Sequence, residues 1–402
     1  MNAPFASSST QPLAGVRVID FTQVMLGPSA TQVLADYGAD VIKIERPGAG
    51  DLSRSSIPDD PDGLDNPVFR SLNRNKRSIA LDLRKEDGKA IIYDLVRGAD
   101  VVVNNFRAGV MERMGFGHDE LARINPRIIC AFGSGFGRSG PLAYKGGQDI
   151  LAQALSGLIA RKPNADDPYA IYSTALCDYA AGMHLVQAIL LALLQREKTG
   201  RGQEVAVSLF ESALAMQMQE AAMWTQRGEH FSWGAFPLTG VFATKDGAIV
   251  LVGAFKAHPL RDISTALGVE DLSLDQRFAT FAGQRAHKKE LHAIFRERFA
   301  GGTNEYWLQR LEEQDLLCAP VLTLAEALGH EQSRVNGSLI SLNGGAAQGS
   351  MQVMGTPLTM APSAFALRHP PPALGAHGEE VLGELGYSAE RIARLRESGV
   401  LK

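Results

Sequence analysis

The chain has 402 residues, enough for two domains and a sizeable core. Its 40 Lys and Arg against 44 Asp and Glu leave no strong field to draw a nucleic acid or a membrane surface. Three cysteines, Cys130, Cys177 and Cys318, lie far apart without C-x-x-C spacing, which argues against a disulfide framework and a zinc site and predicts a reducing, cytoplasmic setting.

The opening MNAPFASSSTQP has neither a basic n-region nor an apolar h-region and reads as a disordered tail over residues 1–12, not a signal peptide. VRVIDFT (16–22) is then a β-rich run, GPSATQVLADYG (27–38) a helix and ADVIKIER (39–46) a second strand. SIALDL (78–83), a helix over 85–97, ADVVVNNF (99–106) and PRIICAFGS (126–134) continue the alternation. Near-continuous Val/Ile runs between helical patterns predict a mostly parallel sheet covered on both faces. With right-handed crossovers this is an α/β, Rossmann-like doubly wound layer.

A long helix follows, opened by Asp178, with an apolar body from Leu185 to Leu194 and a stop at Lys198-Thr199-Gly200. Its longest apolar run, LVQAILLALL, is too short to span a bilayer. From Phe236 the texture changes. TGVFATKDGAIVLVGAF (239–255) predicts a hairpin turning at Asp246-Gly247, and helices are expected over 259–267, 287–299 and 305–314. A polar stretch over 332–348 precedes two C-terminal helices, the second capped by Ser388.

Two residues in the long helix invite chemistry. Asp178 is a favoured N-cap type, and the helix dipole favours its charged form. An oriented, ionised acid is either a cap or an oxygen nucleophile, and local physics alone favours the cap. Cys177 beside it reads as a small buried filler, since no neighbouring His or Lys in the sequence lowers its pKa. Gly135, Gly137 and Gly140 form G-x-G-x-x-G after a strand, but Pro141 and Gly146-Gly147 follow where a helix should start. A glycine-rich loop is the better reading, with NAD binding the weak runner-up. The nine histidines show no H-x-H or H-x-x-x-H spacing, so no metal site is expected.

Taken together, GADVIKIERPGAGD (38–51), NRNKRSIALDL (73–83) and the segment from GGQDILAQALSG (146–157) through CDYAAGMHLVQ (177–187) strongly resemble the class III CoA-transferase superfamily, which also holds the alpha-methylacyl-CoA racemases. The resemblance runs from Leu13 to about Arg396 and is thin between Ala221 and Glu313. It implies a large Rossmann-like domain built first from residues 13–220, a linker at 221–235, a small α/β domain at 236–320, and a linker and return to the large domain at 321–402. It also implies an interlocked homodimer, and no permanently bound cofactor, with a coenzyme A thioester as substrate.

The resemblance makes Asp178 the covalent nucleophile, which attacks an acyl-CoA carbonyl, forms a mixed anhydride and releases CoA thiolate. Asp149 falls where formyl-CoA transferases carry an acid and takes a supporting role. Gln148 replaces the histidine that the racemases use as one of two bases; an amide cannot shuttle protons, which favours transferase over racemase. CoA contacts carried over are Met25, Leu26, Arg46, Leu81, Arg84, Asn105, Phe106, Arg113 and Lys145, the last one position out of register. Met25 stands where oxalate-using members carry a glutamine, and the tetraglycine loop of those enzymes is absent between Trp233 and Ala254. The expected partners are therefore an acyl-CoA, with succinyl-CoA as donor, and a carboxylic acid such as a short dicarboxylate, with no nucleic acid or membrane.

Overall fold

The computed structural model describes residues 11–162, 167–342, 351–360 and 365–402. Most of the expected tail and the end of the 332–348 stretch therefore lie outside the described residues. The chain divides into two compact units: residues 1–160, 170–216 and 336–402 form one, and residues 161–169 and 217–335 the other.

The larger unit is built on six strands: β1 (Arg17–Asp20), β2 (Asp40–Glu45), β3 (Lys76–Ala80), β4 (Val101–Asn104), β5 (Ile129–Ser134) and β6 (Glu204–Ser208). All pair in parallel, in the order β3-β2-β1-β4-β5-β6. This is a doubly wound sheet, and its strand order reverses between β1 and β4. Every residue of β3, β4 and β5 is buried, which explains the unbroken apolar runs of the last two. β6 is the strand that sequence reading passed over, because EVAVS lies between two helices and is only half buried.

One sheet face carries Ile19, Ile42, Ile79, Val102 and Cys130, packed with Val381, Leu382, Leu395 and Leu401 from the far end of the chain. An isolated bridge between Leu81 and Leu401 closes that contact. The C-terminal helix Ala389–Glu397 begins as expected, with Ser388 accepting from Arg391 N–H. The other face carries Val18, Val41, Val101, Ile129 and Ala131 under the helices Leu26–Asp36 and Leu176–Thr199.

That second helix, called here the Asp178 helix, corrects the reading of its ten-residue apolar run. At 24 residues it is long and apolar enough to cross a membrane by length and composition. Yet Cys177, Ala181, Leu185, Ile189, Ala192 and Arg196 bury one stripe at helical spacing, and the apolar members pack in the core. It is the core helix of this unit.

The smaller unit has an antiparallel sheet of β7 (Thr239–Ala243), β8 (Ala248–Val252) and β9 (Leu317–Pro320). The β7–β8 hairpin turns where Thr244 N–H donates to the Gly247 carbonyl, as the Asp-Gly signal predicts. Helices Pro259–Leu267, Lys288–Phe299 and Asn304–Glu312 supply Ile263, Phe295, Phe299 and Trp307 to its core. A further antiparallel pair, β10 (Leu339–Leu342) with β11 (Met351–Met354), lies in the larger unit, and β10 falls within the 332–348 stretch read as polar.

Candidate active site

Parallel α/β sheets place their ligands in the crevice outside the strands' carboxyl ends, where the strand order reverses. Here the crevice lies between the loop after β1 and the loop after β4. Asn105, first residue beyond β4, reaches across it. Its side-chain oxygen accepts from Gln23 N–H and its amide donates to the Gln23 carbonyl, both at 2.8 Å. The next residue, Val24, sits at φ 65°, a left-handed conformation costly for a β-branched side chain. Its N–H donates to Asp51 Oδ1 at 3.0 Å. Asn105 and Asp51 thus hold the strained turn that sets Met25 and Leu26 at the start of the Leu26 helix.

Buried charge underlies this turn. Lys43 pairs with Asp51 at 2.8 Å and donates to the Thr22 carbonyl, while Lys76 pairs with Asp20 at 3.2 Å. All four side chains are fully buried. Burial opposes ionisation of Asp51, but Lys43 and the Val24 and Ser53 N–H groups outweigh it and hold its carboxyl below the usual range. Removing one partner of such a pair leaves an uncompensated buried charge. Sequence reading missed Asp51 as a support for this turn, although it closes one of the motifs that carry the family likeness.

The Asp178 helix reaches this turn through a glycine. A Cβ on Gly182 would lie 2.8 Å from the Leu26 carbonyl oxygen and 2.3 Å from Ser29 Oγ, so the two helices approach too closely for any side chain there. Asp178 comes into hydrogen-bonding reach of the Leu26 backbone as a result. Gly182→Ala is expected to lower stability by about 1–3 kcal/mol, the usual cost of overpacking. It should also lower activity by shifting Leu26 from Asp178; a urea midpoint and a rate measurement on the same protein check both.

Asp178 is not the cap of its helix. The cap comes from Asp149, whose Oδ2 accepts from Cys177 N–H at 2.7 Å and Asp178 N–H at 3.0 Å. Its Oδ1 accepts from Gln153, one turn along the Asp149–Leu155 helix. The preceding residue, Ala175, offers no capping side chain. With those donors taken by Asp149, the Asp178 carboxylate is free for other work.

Nor does the helix N-terminus dominate its ionisation. Burial, and then the Asp149 charge, raise the Asp178 pKa to about 6, against an opposing hydrogen bond with the Leu26 backbone. The same surroundings push the Cys177 thiol up to about 12, which suits a buried filler and not a thiolate nucleophile.

The remaining candidates follow the strands' carboxyl ends. Arg46 comes directly after β2 and is exposed. Leu26 and Leu81 are core residues, so any ligand meets their backbone and not their side chains. Arg84 is exposed and doubly bonded to Asp82, and Phe106 packs on the core edge. Met25 is half-buried; Arg113, Lys145 and Gln148 are exposed. Gln148 precedes the Asp149 helix without capping it through its side chain.

The G-x-G-x-x-G glycines have another use. Gly135 and Gly147 pack backbone to backbone, each so close that a Cβ would lie within 2.4 Å of the other's Cα. The next helix starts only at Asp149, so these glycines present no helix N-terminus to a pyrophosphate.

The description "CoA-transferase family III" matches residues 13–378. The chain belongs to that family. It is 34% identical to the succinyl-CoA:glutarate CoA-transferase of Mus musculus, over 98% of this chain and 91% of that one. It is 32% identical to the formyl-CoA:oxalate CoA-transferase of Escherichia coli O157:H7 (strain EC4115), over 96% of this chain and 99% of the relative. A CAIB/BAIF family protein from Brucella suis superposes with a TM-score of 0.83 at 29% identity, covering 93% of this chain and 99% of that one. As a family III CoA-transferase, the chain is an enzyme acting on CoA thioesters.

Proposed function

We propose that this enzyme moves CoA from an acyl-CoA, with succinyl-CoA the expected donor, to a free carboxylic acid through a mixed anhydride on Asp178. A carboxylate oxygen of Asp178 attacks the thioester carbonyl, the C–S bond breaks and CoA thiolate leaves. The acceptor carboxylate then attacks the aspartyl carbonyl and displaces the donor acid. Thiolate attack on the new acyl carbon forms the product thioester and returns Asp178 as a carboxylate. The observation that carries this reading is the freed acid: Asp149 caps the helix in its place. With its pKa near 6, Asp178 is ionised at neutral pH yet poorly solvated. Hydroxylamine present during turnover tests it, since it should convert the anhydride to a hydroxamate at this one residue.

The mouse relative's name supports a dicarboxylate donor. The Escherichia coli relative is named for oxalate, but Met25 in place of a glutamine argues against that acceptor here. A racemase needs a second base, and Gln148 offers an amide at that position.

Arg46 is proposed to hold the nucleotide end of CoA by stacking and phosphate pairing. Arg46→Glu should raise KM for CoA esters by about tenfold or more with little change in kcat, because this contact is made equally in ground and transition states. Equal activity of wild-type enzyme with pantetheine thioesters would contradict it.

A homodimer, interlocked as in the resembled family, is proposed from exposed apolar surface on the larger unit. Leu191 and Leu194 of the Asp178 helix are 66% and 63% exposed, and Ile150, Leu151 and Leu155 of the Asp149 helix are also uncovered. Such a patch calls for a partner. Light scattering at micromolar concentration should return twice the monomer mass; a monomer would sink the idea.

A further inference from the structure

Two fully buried lysines grip the turn beside Asp178 at its two ends. Lys43 donates to the Thr22 carbonyl at 2.7 Å, just before the strained residue. Lys76 donates to the Pro28 carbonyl at 3.1 Å, in the first turn of the Leu26 helix, and to Asn73 Oδ1 at 2.8 Å. Asp20, the last residue of β1, joins the two ends. Its Oδ1 accepts from Thr22 N–H at 2.8 Å. Its Oδ2 accepts from the Thr31 hydroxyl of the Leu26 helix at 2.7 Å and from Lys76 at 3.2 Å. Gly27 lets the turn close, because a Cβ there would lie 2.3 Å from the Thr22 Cβ.

Stability is a weak reason for this arrangement. A buried ion pair is often no better than apolar side chains of the same volume. Burial outweighs the attraction of Asp20 and brings the Lys76 pKa down to about 8, so keeping this ammonium charged has a cost. What the charges provide is direction. An apolar side chain at position 76 would fill the space but could not hold a particular carbonyl. The carbonyl that Lys76 holds lies two residues after Leu26, whose backbone bonds Asp178. Between the two anchored ends Val24 sits at φ 65°, and that strain would relax if either end came loose.

We infer that Lys76 is a positioning residue for the reaction: paired with Asp20, it fixes the start of the Leu26 helix so that the Leu26 backbone meets the Asp178 carboxylate. The step it serves is attack by Asp178, so the inference rests on the nucleophile reading above. Burial, the Asp149 charge and the bond with the Leu26 backbone set the ionisation of Asp178. Lys76 acts on it through the last of these, and that gives its role a signature separate from folding.

The test compares Lys76→Met/Asp20→Asn with wild-type enzyme. The two charges go together, so neither is left buried without the other. The asparagine still accepts from Thr22 N–H and can donate to Thr31. Misplacing the Leu26 backbone should lower kcat by about tenfold or more. The acidic limb of kcat/KM should move up from about 6, because the lost bond had held the Asp178 pKa down. A change that only weakened the fold would leave the limb in place. Melting supplies a readout that needs no turnover. At pH 7.5 Asp178→Asn should raise the melting temperature more in the double variant than in wild type, since the buried carboxylate has lost a stabilising bond. Thr31→Val keeps the ion pair and unties only Asp20 from the helix. It should move both readouts the same way by less, and it decides the matter should the double variant not fold. A limb or a melting difference that stays put in every folded variant overturns the inference; with Asp178→Asn inactive, the nucleophile reading survives that result. An enlarged melting difference beside an Asp178→Asn enzyme of near wild-type rate would instead remove the nucleophile reading and leave the coupling from Lys76 to Asp178 standing.

Discussion

Asp178→Asn is expected to lower CoA transfer by about 10³-fold or more while CoA esters still bind within a few-fold of wild type. The size follows from the proposed role: an amide cannot form the anhydride, and loss of a nucleophile would remove the covalent route entirely. Hydroxylamine should label wild-type enzyme during turnover and leave the variant unlabelled. Stability provides an independent readout. Because Asp149 supplies the cap, the variant keeps it. The folded-state pKa of Asp178 is raised to about 6, so ionisation costs stability above the ordinary carboxylate range, and the full cost is present above pH 6. The asparagine variant should therefore melt higher than wild type at pH 7.5, and the advantage should shrink as pH falls through 6 towards 4. A variant that melts lower at pH 7.5 and transfers CoA at near the wild-type rate would return Asp178 to a structural role.

The parts of this molecule legible in its sequence are those carried by local pattern. Buried Val and Ile runs announced β4 and β5, the Asp-Gly pair announced the small hairpin, and Ser388 announced the last helix. The strand order was not legible beyond its class, because parallel pairing is decided by tertiary contacts and no hairpin links the neighbours. β6 escaped because only one of its five residues is buried and two, Glu204 and Ala206, are exposed.

At the candidate site, motif position proposes Asp178 and Asp149, while local rules assigned the cap to the wrong acid. The rule looks for the nearest carboxylate. This helix begins at Leu176, which puts Asp178 inside the first turn, and its cap crosses from a residue 28 positions before Cys177. Asp51, Asn105 and Gly182 act in the same non-local way. Each is an ordinary residue in sequence, made specific by the loop or helix that another part of the chain brings to it.

Asp149 should then show two separable effects. Its charge is the second cause of the raised Asp178 pKa, after burial. Since attack in the proposed route needs the ionised acid, wild-type kcat/KM should fall as pH drops through about 6. Asp149→Asn removes the charge but not the burial, so this acidic limb should move down only part of the way towards the ordinary carboxylate value of about 3.9. Its bonding should suffer as well, because both oxygens of Asp149 now accept: one from Gln153, the other from two backbone N–H groups. An asparagine must turn its NH2 towards one of these donors. If it faces Gln153, that side chain can answer only by flipping, which gives up its donor bonds to the Tyr172 and Thr174 carbonyls. Asp149→Ala removes the cap outright and should cost about 1–2 kcal/mol, more than the asparagine variant. It should also lower kcat at every pH, because the first turn carrying Asp178 loses its anchor. Chemical denaturation and pH–rate profiles of the two variants check the ordering. An acidic limb that stays near 6 in Asp149→Asn would mean that burial alone sets the Asp178 pKa and that Asp149 serves only as the cap.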